Sequence, residues 1–182
     1  GDQETPLILM VYANPPHHMG YARFAEAAEQ AGVDGVITVD LPLEEDAPLR
    51  LELEMRGLAA IRLATPTTTP ARMARIAQGS AGFIYYVSVA GVTGAGVGRL
   101  DDIAAGVARA RAASGLPVAV GFGVRTGEQA AAFARVADGV VVGSALVDEV
   151  RDAVEQGDPA SAVKRISVVA RTLSNAITSA RF

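Results

Sequence analysis

The 182-residue chain has no cysteine, which excludes disulfides, thiolate metal sites and cysteine nucleophiles and fits a reducing compartment. Aromatic residues make up only 5% of it, which suits close packing of helices on a sheet. Positive charge is also short. Sixteen Lys plus Arg against twenty Asp plus Glu leave a net charge of -4, without the basic footprint that nucleic-acid binding requires. The longest early apolar run, Leu7 to Tyr12, falls far below the roughly 20 residues needed to cross a bilayer, and no basic stretch precedes it. Neither a membrane span nor a signal peptide is expected, and the expected location is the cytoplasm. The only two histidines, His17 and His18, are adjacent, lack the i, i+4 helical spacing of a metal pair and have no acidic cluster beside them. No metal and no cofactor is expected.

What is abundant points to α/β architecture. Hydrophobic residues make up 50% of the chain and charged residues 20%, and there are nineteen glycines, a balance that predicts one compact domain over residues 1–182. Apolar runs recur at Pro6 to Tyr12, Gly35 to Val39, Leu58 to Leu63, Phe83 to Ser88, Val118 to Gly121 and Gly139 to Val142. None alternates cleanly, as expected of parallel strands covered on both faces. Helical patterns fall between them: Tyr21 to Ala31 stopped by Gly32, Pro48 to Arg56 stopped by Gly57, Thr69-Pro70 to Gln78, Leu100 to Ala113, and Thr126 to Val136 with Thr126 as cap. Two more follow, near Ala145 to Gln156 and Ala160 to Ser179. Six βα units result. Periodicity alone leaves a doubly wound sheet and a (β/α) barrel both open.

Chemistry concentrates at strand C-terminal ends. Gly121-Phe122-Gly123 follows one strand and Gly143-Ser144 the next, so backbone N–H groups, a helix N-terminus and the Ser144 hydroxyl can grip a phosphate. Four glycines within the eight residues Gly91 to Gly98 exceed what a turn needs and predict a lid or a further part of the anion cradle. Asp40 ends the second strand run, where it can face a ligand or cap a helix. Glu44, Glu45 and Asp46 read as a solvated first helical turn. Tyr85 and Tyr86 must point to opposite faces of their strand, so at most one faces a barrel interior.

Taken together, Leu9-Met10-Val11-Tyr12-Ala13-Asn14-Pro15, Ala31 to Ile37 leading into Asp40-Leu41-Pro42, Ala64-Thr65-Pro66-Thr67, Gly91-Val92-Thr93-Gly94, Gly121-Phe122-Gly123-Val124 and Gly143-Ser144-Ala145 resemble the tryptophan synthase alpha subunit family. The resemblance implies a (β/α)8 TIM barrel with six of its eight βα units in this chain. It implies a lyase of tryptophan biosynthesis that cleaves indole-3-glycerol phosphate by a retro-aldol reaction into indole and glyceraldehyde 3-phosphate. By matching motif, Gly94, Gly123, Gly143 and Ser144 would hold the phosphate, Tyr85 and Phe122 would line the substrate pocket, and Thr93 would belong to a closing loop.

The resemblance also implies a beta subunit as partner, facing the loops Asn14 to Gly20 and Ser88 to Gly98, with Pro15, Pro16 and both histidines exposed toward it. The family's catalytic Glu and Asp precede the first matching motif, so no catalytic residue is assigned within this chain and impaired activity is expected. Val11 stands where the family usually has Gly, and Ala13 where it has a bulkier residue. A non-catalytic module that binds a phosphate ligand or a partner is the alternative. A sugar-phosphate isomerase is disfavoured, because Asp40 is the sole candidate base. Six units would leave unpaired sheet edges at Pro6 to Tyr12 and Gly139 to Val142, so an isolated chain is expected to self-associate, to close on itself or to need the missing segment.

Overall fold

The computed structural model describes residues 4–88 and 100–181. They form strands β1 (Ile8–Val11), β2 (Gly35–Thr38), β3 (Ala59–Ala64), β4 (Ile84–Val87), β5 (Val118–Gly121) and β6 (Gly139–Val141). The α-helices are α1 (Asn14–Met19), α2 (Tyr21–Gln30), α3 (Ala47–Glu54), α4 (Pro70–Gln78), α5 (Leu100–Ser114), α6 (Gly127–Ala134), α7 (Ser144–Glu155) and α8 (Ala162–Arg181). The chain gathers into two compact units, Gly1–Tyr85 with Ala110–Leu116 and Tyr86–Arg109 with Pro117–Phe182.

In the first unit, β1, β2 and β3 pair in parallel, with Leu9 opposite Val36 and Val36 opposite Ala60. Those three side chains share one face, and the buried core there joins Val36 and Ala60 to Ala25 and Ala28 of α2 and Leu49 and Leu53 of α3. Continuous apolar strands are required because the opposite face is covered too: Ile37 and Ile61 are also buried. Helix α2 stops where expected. Gly32 takes a φ of +75°, open to glycine without a Cβ penalty, and Val33 N–H closes back onto the Ala28 carbonyl at 3.0 Å. Helix α4 starts at Thr69, whose hydroxyl accepts from Arg72 N–H at 3.3 Å, with Pro70 at its first position.

Two expectations in this unit are corrected. The segment Asn14 to Met19, read as a loop, is helix α1, and Pro16 within it is buried rather than exposed. Proline is compatible with this because the N–H groups of a first turn have no intrahelical acceptor, so a residue without one loses no helical hydrogen bond there. Likewise Glu44 to Asp46 is not the first turn of a helix, although Glu44 and Glu45 are exposed as expected. Helix α3 begins at Ala47, the Asp46 carboxylate is largely buried against Arg62, and Glu44 bridges Arg72 at 2.5 Å and Arg75 at 2.9 Å.

In the second unit, β5 and β6 pair in parallel, with Val120 opposite Val140 and Gly121 opposite Val141. Helix α6 carries the expected cap as a full capping box: Thr126 Oγ1 accepts from Gln129 N–H at 3.2 Å, and Gln129 Oε1 accepts from Thr126 N–H at 3.2 Å. Helix α8 packs against both α6 and α7. Gly127 permits the close approach to α8, since a Cβ there would sit 3.2 Å from the Ala176 methyl. The core centres on Tyr86, Val107, Val118, Val120 and Phe133. Among the described residues no helix is long and apolar enough to cross a membrane, and no three His, Asp or Glu side chains gather as a metal-ligand set.

Candidate functional site

The parallel register of β5 and β6 places the ends of both strands at one level, so the turns that follow them emerge side by side. One turn is Gly121-Phe122-Gly123. Phe122 has a φ of +89° and Gly123 of +75°, and Phe122 is the one non-glycine residue with positive φ among the described residues. Such a backbone costs of order 1–3 kcal/mol and persists only where its surroundings impose it. The Phe122 ring itself is 57% exposed. The other turn leads through Gly143 to Ser144, the first residue of the twelve-residue helix α7. Among the described residues no side chain caps this helix, so its first N–H groups and the positive end of its dipole are open to an anion. Gly143 and Ser144 are exposed, and a Cβ on Gly143 would meet nothing within 4 Å. The space beside it is open.

One turn beyond Ser144, Asp148 accepts from Arg125 at 2.6 Å and from Arg151 at 2.8 Å, and Arg151 also pairs with Asp152 at 2.8 Å, so these side-chain charges are met by one another and what the site offers an anion is backbone N–H groups and the helix end. Arg125 follows Gly123 by two residues and was not singled out from the sequence, since an isolated Arg in a loop carries no pattern. Ser88 was also missed as an individual residue. It is fully buried at the end of β4, and its hydroxyl donates to the Gly121 carbonyl at 2.8 Å and to the Phe122 carbonyl at 3.4 Å.

Tyr85 is buried on β4, and burial lifts its hydroxyl pKa above the ordinary phenol range, so it stays protonated at neutral pH. Neighbouring Tyr86 points to the opposite face. Its pKa is raised by burial first, an effect that Arg109 opposes and Asp102 reinforces. Thr93, Gly94 and the rest of the glycine-rich stretch lie outside the described residues. Asp40 takes a structural role: its Oδ1 accepts from Ala13 N–H at 2.7 Å, where the chain turns from β1 into α1.

A cleft of about 210 Å³ in the first unit includes Thr38, Asp46, Arg62, Thr68 and Arg72 in its lining. Its charges are already spent on each other. Arg62 binds Asp46 and also donates to the Arg75 and Ile76 carbonyls at 3.2 and 3.1 Å, closing the end of α4. Glu44 is held below the ordinary carboxylate pKa, chiefly by the hydrogen bond from Arg72. A neutralised cluster of this kind offers a ligand little, whereas among the described residues the start of α7 has no side-chain cap.

The arrangement defines a parallel α/β protein whose candidate site lies at the carboxyl ends of its strands. Residues 1–178 match the family model for the tryptophan synthase alpha chain. The tryptophan synthase alpha chain of Caulobacter vibrioides is 52% identical over 181 residues, covering 100% of this chain and 65% of that relative. The crystal structure of the alpha chain from Legionella pneumophila superposes with a TM-score of 0.85 at 41% identity, over 97% of this chain and 64% of that one. A tryptophan synthase a2b2 complex from Pyrococcus furiosus contains a chain matching at a TM-score of 0.80 and 33% identity, over 94% of this chain and 67% of that one.

This chain therefore belongs to the tryptophan synthase alpha chain family, whose fold is a TIM barrel, and the six parallel strands among its described residues are part of that barrel. It spans 65% of the length of the Caulobacter relative.

Proposed function

We propose that this chain binds indole-3-glycerol phosphate through its phosphate and carries the phosphate-binding part of an alpha-type retro-aldol lyase site. The phosphate would sit between the Phe122-Gly123 turn and the start of α7 at Gly143-Ser144, with Gly94 completing the cradle. Tyr85 and Phe122 would line the indole side, and Thr93 would belong to the segment that covers it. One observation carries this reading: Gly121 stands opposite Val141 in register, so both glycine-bearing turns leave adjacent strands at one level beside an uncapped helix N-terminus.

The retro-aldol step needs proton transfer at the indole ring and at a glycerol hydroxyl. Each positioned acid or base is typically worth about 10²- to 10⁴-fold, and the family resemblance assigns those tasks to a Glu and an Asp that precede the first matching motif. Asp40 is engaged with Ala13 N–H and does not replace them. The 182-residue chain alone should thus bind phosphate ligand but release indole very slowly. A beta-subunit partner, which would take up the indole, is proposed on the same family footing.

The test pairs two measurements on the chain. Titration with glycerol 3-phosphate followed by amide NMR should shift Gly123 and Ser144, and Ser144→Ala should weaken that binding about tenfold, in line with losing a hydrogen bond to a charged group. Indole release should be barely detectable for the chain alone and rise when a family N-terminal segment is supplied. Unmoved amides would remove the cradle. Binding with no indole release under either condition would favour the non-catalytic binding module.

A further inference from the structure

Ser88 is fully buried, carries no charge and has no part in the proposed chemistry, yet it makes three hydrogen bonds at the end of β4. Its N–H donates to the Gly121 carbonyl at 3.0 Å, and its single hydroxyl proton is shared between the same carbonyl at 2.8 Å and, as the longer arm, the Phe122 carbonyl at 3.4 Å. Two consecutive carbonyls thus turn toward one side chain. Every peptide bond concerned is trans, so in each peptide plane the N–H points opposite to the C=O. When the carbonyls of Gly121 and Phe122 face Ser88, the N–H groups of Phe122 and Gly123 face away from it together. Successive N–H groups aimed one way form an anion-binding concavity. The positive φ of Phe122 is the backbone cost of that arrangement, whereas Gly123 takes its positive φ without one.

We infer that Ser88 is a positioning residue: its hydroxyl holds the Gly121-Phe122-Gly123 turn in the strained conformation that presents two consecutive amides to a phosphate. The inference rests on the phosphate reading above and deepens it, because it assigns to a buried hydroxyl the shaping of a cradle that is otherwise made of backbone. Loss of the hydroxyl need not unfold the protein. The Gly121 carbonyl keeps its bond from Ser88 N–H, and only the Phe122 carbonyl loses its partner on this side, which frees the Phe122-Gly123 peptide to rotate.

The experiment compares inorganic phosphate binding, by calorimetry and amide NMR, in the 182-residue chain and in Ser88→Ala, Ser88→Cys and Ser88→Thr. Cysteine preserves the volume with a weak donor, and threonine preserves the hydroxyl. Ser88→Ala and Ser88→Cys should weaken phosphate binding about tenfold or more and move the Phe122 and Gly123 amides in the free protein, with melting temperature little changed; Ser88→Thr should bind within about threefold of the parent. If alanine unfolds the chain, the cysteine and threonine pair decides alone. Parent-like affinity in Ser88→Cys or Ser88→Ala would overturn the positioning role and leave the cradle standing. A parent chain that binds no phosphate would overturn the cradle and, with it, this role.

Discussion

Tyr86 lies in the core of the second unit with its hydroxyl pressed against Gly106 of α5, and among the described residues that hydroxyl makes no hydrogen bond. A buried, unpaired hydroxyl loses its hydration without recompense, so Tyr86→Phe should leave stability unchanged or raise it by up to about 1–2 kcal/mol. Gly106→Ala has opposing effects. Alanine improves helix propensity by about 1 kcal/mol, but its Cβ would collide with Tyr86 Oη and Cζ, and overpacking of that kind costs about 1–3 kcal/mol. The collision should win in the parent and be partly relieved in the Tyr86→Phe background. Denaturant unfolding of the four variants checks this; equal effects of Gly106→Ala in both backgrounds would refute the contact. The opposed directions of Tyr85 and Tyr86 were legible from strand alternation. The positive φ of Phe122 was not, since Gly121 and Gly123 flank it and either could have taken the left-handed position.

At the scale of elements, one device sets strand register in both units. Asp34, just before β2, accepts from Leu7 N–H through Oδ2 at 2.7 Å while its own N–H donates to the Leu7 carbonyl at 2.8 Å. Asp138, just before β6, does the same to Val118 at 2.8 and 2.9 Å. Both aspartates precede a Gly-Val pair, and the glycine that follows each lies against the preceding or following strand, leaving no room for a Cβ in the case of Gly35. The side chain therefore fixes where one strand starts against its neighbour. Removing it leaves a strand-end amide without its acceptor. Asp138→Ala should cost about 1–2 kcal/mol because the Val118 contact is partly buried, and Asp34→Ala less, because water reaches Leu7. Hydrogen exchange should quicken at Val118 in the first variant and at Leu7 in the second; unchanged protection at both would refute the clamp. The strands and most helices were legible as apolar runs with glycine stops. Helix α1 was not, because Asn14-Pro15-Pro16-His17-His18-Met19 has no apolar period and two prolines. Nor were the pairings of Glu44 and Asp46, since their arginine partners at 62, 72 and 75 are brought together only by β3 and α4.

For the molecule as a whole, the apolar surface left on β1 decides how the isolated chain behaves. Among the described residues β1 pairs with β2 alone, and Met10 within it and Tyr12 beyond it are 48% and 66% exposed. A strand with an unpaired edge and exposed large apolar side chains is a template for pairing with another strand, and apart from its short length β1 lacks the usual chemical protections, since no charge or proline lies between Leu7 and Ala13. The partner most available to the isolated chain is a second copy. Sedimentation velocity across a hundredfold range of concentration should show reversible association, and Met10→Lys should weaken it, because a lysine on an edge strand must be desolvated to pair. Met10 is half exposed in the fold, so the substitution should leave the melting temperature of the dilute chain nearly unchanged. A parent chain that stays monomeric over the whole range would show that this edge is already blunted. Association untouched by Met10→Lys would move the contact elsewhere, to the exposed Val147, Val150 and Val154 stripe of α7.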